Sequence, residues 1–221
     1  MQCGLFGKLP AKRDFVSYNM PRPLLDHWEN WLQAAIAESR HALADNWQNI
    51  FLTMPIWRFW CGPQVFGQTV TGAVMASVDG VGRYFPLSIC ACESHGEDLL
   101  PPPEASLEAW LGSCEQALLS MLEDAGQFDP TAILGRLGAP PVRPMSAVEA
   151  SKSSVQMWSG ESGAIQFAFD QLSASDQRQM NIRRGLWWTL GGKYHTSQLI
   201  MTDGPIQPSL WTSFMNGMAA T

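Results

Sequence analysis

Residues 69–92 read TVTGAVMASVDGVGRYFPLSICAC, and the alternation within them decides the fold. Val70, Gly72, Val74, Ala76 and Val78 fall on one face of an extended chain, and Thr69, Thr71, Ala73, Met75 and Ser77 on the other, because successive side chains of a strand point to opposite sides. Asp79 to Arg83, DGVGR, supplies a turn. From Tyr84 to Cys92 the alternation resumes, with Phe85, Leu87, Ile89 and Ala91 on one face. An Asp-Gly pair between two alternating runs predicts an antiparallel hairpin.

Upstream, Met54 to Cys61 (MPIWRFWC) is apolar on both alternating faces apart from Arg58, the pattern of a strand covered on both sides. A guanidinium buried there needs a carboxylate or several carbonyls, and Asp79 and Asp14 are the candidate partners. From Pro23 onward, Leu24, Leu25, Trp28, Trp31, Leu32, Ala35, Ile36, Leu43 and Trp47 follow a helical period with polar residues between them, predicting one long amphipathic helix with Pro23 near its first turn. Cys3 to Leu9 (CGLFGKL) predicts a short strand running into Pro10, and Ala11 to Met20 an exposed loop.

Downstream, Ser94 to Pro103 breaks the pattern, and Leu107, Trp110, Leu111, Cys114, Leu118, Met121 and Leu122 mark a second amphipathic helix that stops near Gly126. Asp129 and Pro130 are the cap and first residue of a short helix to Leu137. Ala139 to Gly163, rich in Pro, Ser and Gly, reads as a long flexible connection. Ala164 to Phe169, Arg184 to Leu190 and Ser197 to Thr202 then read as strands, and Pro208 to Met218 as a closing helix. This order predicts an α+β fold, a mostly antiparallel mixed sheet of about six strands flanked by amphipathic helices. One domain spans 1–221, with 1–138 as its main lobe, 139–163 as the connection and 164–221 completing the fold.

Composition narrows the function. Hydrophobic residues make up 46% of the 221 and charged ones 15%, against roughly 25% charged in an average soluble protein. With 10 Trp and 11 Met, this points either to a large Trp-rich core or to apolar surface covered by a partner, a second copy included. Lys and Arg number 14 against 20 Asp and Glu, a net charge of −6, and no basic cluster follows a phosphate backbone, so nucleic acid is not an expected partner. The absence of a signal-peptide pattern or an apolar run of about 20 residues leads us to expect a cytoplasmic protein without a transmembrane segment.

Familiar chemistry is missing. Cys3, Cys61, Cys90, Cys92 and Cys114 lie singly or as CAC in apolar segments and read as reduced, buried residues. His27, His41, His95 and His195 have no metal-ligand spacing, so neither metal nor cofactor is expected. Gly191-Gly192-Lys193 lacks the first glycine and the Ser/Thr of a phosphate loop, and no Gly-x-Ser-x-Gly elbow occurs. What remains is Lys8, Lys12, Arg13 and Asp14 in the first loop, Asp79 and Arg83 flanking the hairpin turn, and the pair Trp187-Trp188. Adjacent strand residues point to opposite faces, so both tryptophans are inside only if that strand is covered twice. An exposed one is a natural interface anchor.

Four stretches, GLFGKLPAKRDFVSYNMPRPLLDHWENWLQAAIAESR, LTMPIWRF, MASVDGVGRYFPLSI and GLWWTLGG, together resemble the TagF family, also called ImpM, found beside type VI secretion genes. The resemblance implies a non-enzymatic, post-translational negative regulator that binds and sequesters a forkhead-associated (FHA) scaffold protein. Some relatives are fused to a PppA-like phosphatase, which implies a link to that pathway. Arg13 stands where the family usually has glycine. The partner-binding candidates are Lys8, Arg13, Asp14, Phe15, Arg58, Asp79, Arg83, Trp187 and Trp188, and two rival readings stand beside this one. One is a structural adaptor of the secretion apparatus; the other is a nucleotide- or phosphate-binding enzyme built on Asp14, Arg58, Asp79 and Arg83.

Overall fold

The computed structural model describes residues 2–93, 97–123, 128–144 and 180–216. In it β4 (Val70–Met75) and β5 (Leu87–Cys92) pair antiparallel, with Val70 opposite Cys92 and Met75 opposite Leu87, and a single bridge between Val78 and Tyr84 narrows the turn. The predicted hairpin is thus present. Phe85 leaves the predicted face: it packs on the opposite side of the sheet from Leu87, Ile89 and Ala91, because Pro86 has no N–H to give the ladder and the strand begins only after it.

Around this hairpin, β1 (Gln2–Gly7), β2 (Val16–Tyr18), β3 (Trp57–Cys61), β8 (Arg184–Thr189) and β9 (Gln198–Asp203) complete a seven-stranded sheet in the order β2-β1-β5-β4-β3-β8-β9. Every neighbouring pair is antiparallel. Three short strands interrupt segments expected to be irregular. β2 lies within the predicted Ala11–Met20 loop, β6 (Glu97–Leu99) within the predicted breaker, and β7 (Val142–Pro144) within the predicted connection, where it pairs with β6. Three residues are too few to display a period of two. Residues 145–163 of the connection and the predicted strand Ala164–Phe169 lie outside the described residues.

One face of the sheet carries α1 (Arg22–Leu43), α2 (Trp47–Thr53) and, from the C-terminal end, α6 (Leu210–Asn216); the short α3 (Pro63–Phe66) lies beside α1. The other carries α4 (Ala105–Glu123) and α5 (Pro130–Leu137), whose Asp129 cap accepts from the N–H groups of Thr131 and Ala132. The long helix expected to run through Trp47 breaks at Ala44, where φ is 43° and a 3-10 turn follows. The bend returns Trp47 to α1, and its Nε1 donates to Ser39 Oγ at 2.9 Å.

Both faces of the central strands β3, β4 and β5 are packed. Trp28, Trp31, Trp57, Phe59, Trp187, Trp211 and Phe214 form an aromatic core beneath α1 and α6, and Leu5, Trp60, Ala73, Leu87 and Ile89 meet Leu107, Leu111, Cys114 and Leu118 beneath α4. Ring pairs of the first group, such as Trp57–Phe214 at 4.5 Å and Trp28–Phe59 at 4.8 Å, add about 0.5–1.5 kcal/mol each beyond their burial. The polar atom of Trp28 is satisfied too: Nε1 donates to Ser88 Oγ at 2.9 Å, and Ser88 donates to the Phe6 carbonyl. All five cysteines are buried. Burial pushes the Cys3 thiol up to about 12 and raises the other four as well.

Candidate functional site

β1 delivers Lys8 to the inner side of the turn between β4 and β5. Its Nζ donates to Asp79 Oδ2 at 2.8 Å, and the Asp79 side chain is wholly shielded from solvent. Asp79 Oδ1 accepts from the N–H groups of Val81 at 3.1 Å and Arg83 at 2.8 Å, while Oδ2 accepts from Arg83 Nε at 2.7 Å. Burial acts to raise the Asp79 pKa, but the bonds from Lys8, from the Arg83 backbone and side chain and from the Val81 N–H outweigh it and hold the carboxyl well below the usual carboxylate range. This is Asp turn chemistry reinforced by an internal lysine.

The same turn clamps the first loop. Gly80 N–H donates to the Lys12 carbonyl at 2.8 Å, the Arg83 guanidinium donates to the Arg13 carbonyl, and Asp14 lies 3.9 Å from Arg83. The approach requires glycine, since a Cβ at Gly80 would stand 2.8 Å from the Pro10 carbonyl oxygen. Phe15 turns back to stack on Phe6 and meets Phe85 edge-on, with the Lys8 ammonium 4.9 Å from its ring centre. The structure therefore brings Lys8, Arg13, Asp14, Phe15, Asp79 and Arg83 into one knob. Lys8 and Asp79 are buried; Arg13, Asp14, Arg83 and neighbouring Lys12 face solvent, as do Phe15, 45% exposed, and adjacent Val81, 55% exposed.

Arg58 is elsewhere, and its expected partners are corrected. It lies on the α4 side of β3, where Nε and Nη2 donate to Glu115 at 2.7 and 3.0 Å and Nη1 donates to Glu108 at 2.6 Å. Neither Asp79 nor Asp14 is involved. Burial pulls the guanidinium pKa down, yet the two carboxylates raise it on balance, so the charge is held. Glu108 and Glu115 are two helical turns apart and share one face of α4. Acidic residues recurring on the same side as Leu107, Leu111 and Leu118 were the signal available in the sequence.

Trp187 and Trp188 point to opposite faces. Trp187, opposite Phe59, is fully buried, 5.1 Å from Phe59 and Phe214 and 5.4 Å from Trp31, so it belongs to the core. Trp188, opposite Arg58 on one side and Leu199 on the other, is half-buried. With Leu186, Leu190, Leu199, Pro102 and Glu108 it lines an open groove of about 610 Å³. Leu199 and Met201 on β9 are 68% and 63% exposed. α4 lies chiefly over β4 and β5 and reaches β3 through Glu108 and Glu115, and no described helix covers Leu199 and Met201.

Among the described residues no group of three or more His, Cys, Asp or Glu is placed to hold a metal ion, and no helix is long and apolar enough to cross a membrane.

No curated protein matches the chain. A solved structure, PA0076 from Pseudomonas aeruginosa PAO1, superposes with a TM-score of 0.79 at 28% identity, covering 99% of this chain and 96% of that one. Residues 4–135 match the family described as TagF N-terminal domain, Type VI secretion system-associated, a span that contains the whole knob and ends before β8 and β9. The chain belongs to this TagF family of type VI secretion-associated proteins.

Proposed function

We propose that the protein is a non-enzymatic regulator acting after translation in the cytoplasm, where it restrains type VI secretion by binding and sequestering an FHA scaffold protein. The observation that carries this reading is the apolar face at β8 and β9, where Leu199 and Met201 stand without a described helix above them and half-buried Trp188 lines the groove beside them. Apolar area of this kind marks interaction surfaces, and a half-buried tryptophan is a common anchor within one. Further support comes from the charged groups: Asp79 is taken up by Lys8 and Arg83, and Arg58 by Glu108 and Glu115. Of the four residues of the enzyme alternative, Asp14, Asp79 and Arg83 meet in the knob but Arg58 is held elsewhere by Glu108 and Glu115, which favours surface occupation over turnover.

Titrating the purified full-length chain into the FHA scaffold protein of its own secretion system tests the reading. Saturable binding is expected, weakened about tenfold or more in a folded Trp188→Ala protein. A parent chain that leaves the scaffold unbound sinks it. Loss of repression in a strain lacking the protein separates a regulator from a structural adaptor.

A further inference from the structure

We infer that the knob of residues 12–15 and 79–83 is a cationic contact that receives a carboxylate-rich segment of the protein partner. The inference rests on the regulator reading and deepens it by naming what the partner presents.

The knob concentrates positive charge on a chain whose balance is negative. Within it Lys12, Arg13 and Arg83 stand beside two carboxylates, Asp14 and Asp79, and Lys8 braces Asp79 from inside, whereas the whole chain has 14 Lys and Arg against 20 Asp and Glu. Lys8 and Arg83 are engaged with Asp79. Lys12 and Arg13 are exposed, and neither has a carboxylate partner among the described residues: Lys12 rests over the Phe128 ring at 5.9 Å, and only the carbonyl of Arg13 is held. Among the described residues they are the charges left without an internal counterpart.

Their backbone is also fixed in advance. The Lys12 carbonyl is held by Gly80 and the Arg13 carbonyl by Arg83, and Arg83 is itself pinned through Nε and its own N–H to the buried Asp79. A pre-ordered loop loses less entropy when it is bound than a free one. Exposed Phe15 and Val81 lie beside the cations, and a guanidinium next to an aromatic ring is the composition of interface hot spots. Charge complementarity then sets the occupant, because a rigid cationic surface on an otherwise anionic protein orients the approach of an acidic segment and speeds it. Lys8 and Asp79 touch no partner in this scheme; they are positioning residues acting through Arg83.

The experiment measures binding kinetics of the full-length chain to phosphatase-treated FHA scaffold protein. Between 50 and 400 mM salt the parent should lose about tenfold or more in affinity, chiefly through slower association. At 150 mM salt, Lys12→Glu/Arg13→Glu should bind about tenfold more weakly or worse, with Lys12→Gln/Arg13→Gln between it and the parent. Both side chains are in solvent, so circular dichroism and the thermal midpoint should not change. A charge-reversed protein that binds as tightly as the parent overturns the inference while the sequestration reading stands. A parent that does not bind the scaffold overturns both.

Discussion

At the β2 edge of the sheet the strand is only three residues long, Val16–Tyr18, and the loop leading to it is tied down by Gly80 and Arg83. At the opposite edge β9 runs for six residues, Gln198–Asp203, with Leu199 and Met201 in solvent and no lysine or proline among them. Short strands, charges and covering loops are the usual protection of a sheet margin. The first edge has that protection, whereas among the described residues the second has only the Arg183–Asp203 pair at its end, which teaches that the two ends present different surfaces: a polar, fixed one and an apolar, open one.

The largest effect should separate adjacent positions on β8. Trp187→Ala removes a ring fully buried among Trp31, Phe59 and Phe214 and should destabilise the fold by about 3–5 kcal/mol in urea unfolding, a large fraction of a typical stability. Trp188→Ala should cost well under half as much. Equal losses at the two positions would mean that the outer face of β8 is as closely packed as the inner one.

An intermediate effect belongs to the knob. Because the Asp79 carboxyl is held below its ordinary range in the folded protein, its contribution is complete above the unfolded-state pKa of about 3.9 and fades as pH falls toward the lower folded value. Unfolding midpoints followed from pH 7 down to pH 2 should show Asp79→Asn less stable than the parent at neutral pH, with the gap closing in acid. A gap that is constant across the range would break the claim that ionised Asp79 organises this end.

The smallest effect on stability is expected at β9, where Leu199→Lys should change unfolding by no more than about 0.5 kcal/mol while lowering scaffold binding severalfold in the same titration. Unchanged binding would remove β9 from the contact surface.

Where the chain announced its structure, it did so through local chemistry. The hairpin was legible because ten residues alternate before Asp79 and the ladder resumes after Pro86. The opposition of Trp187 and Trp188 followed from parity alone, but which of them is buried depends on where α4 lies, a fact of three-dimensional packing. The partners of Arg58 were missed for the same reason: Glu108 and Glu115 are 50 and 57 residues away and meet it only when the helix lies across the sheet. The bend at Ala44 was hidden because Leu43 and Trp47 keep a spacing of four through it. The gathering of Lys8 with Asp79 and Arg83 was half legible: turn chemistry picked out Asp79 and Arg83, whereas nothing in Lys8 itself says that it is buried.

The cysteines have a further consequence. Cys3, Cys61, Cys90 and Cys92 sit on β1, β3 and β5, and Cys114 is on the buried side of α4, each with its thiol held away from ionisation by burial. Since the thiolate is the reactive species, peroxide and alkylating reagents have little hold on the folded molecule. Thiol chemistry is therefore favoured where the packing around these residues has opened, so a modified cysteine records an opening of the fold.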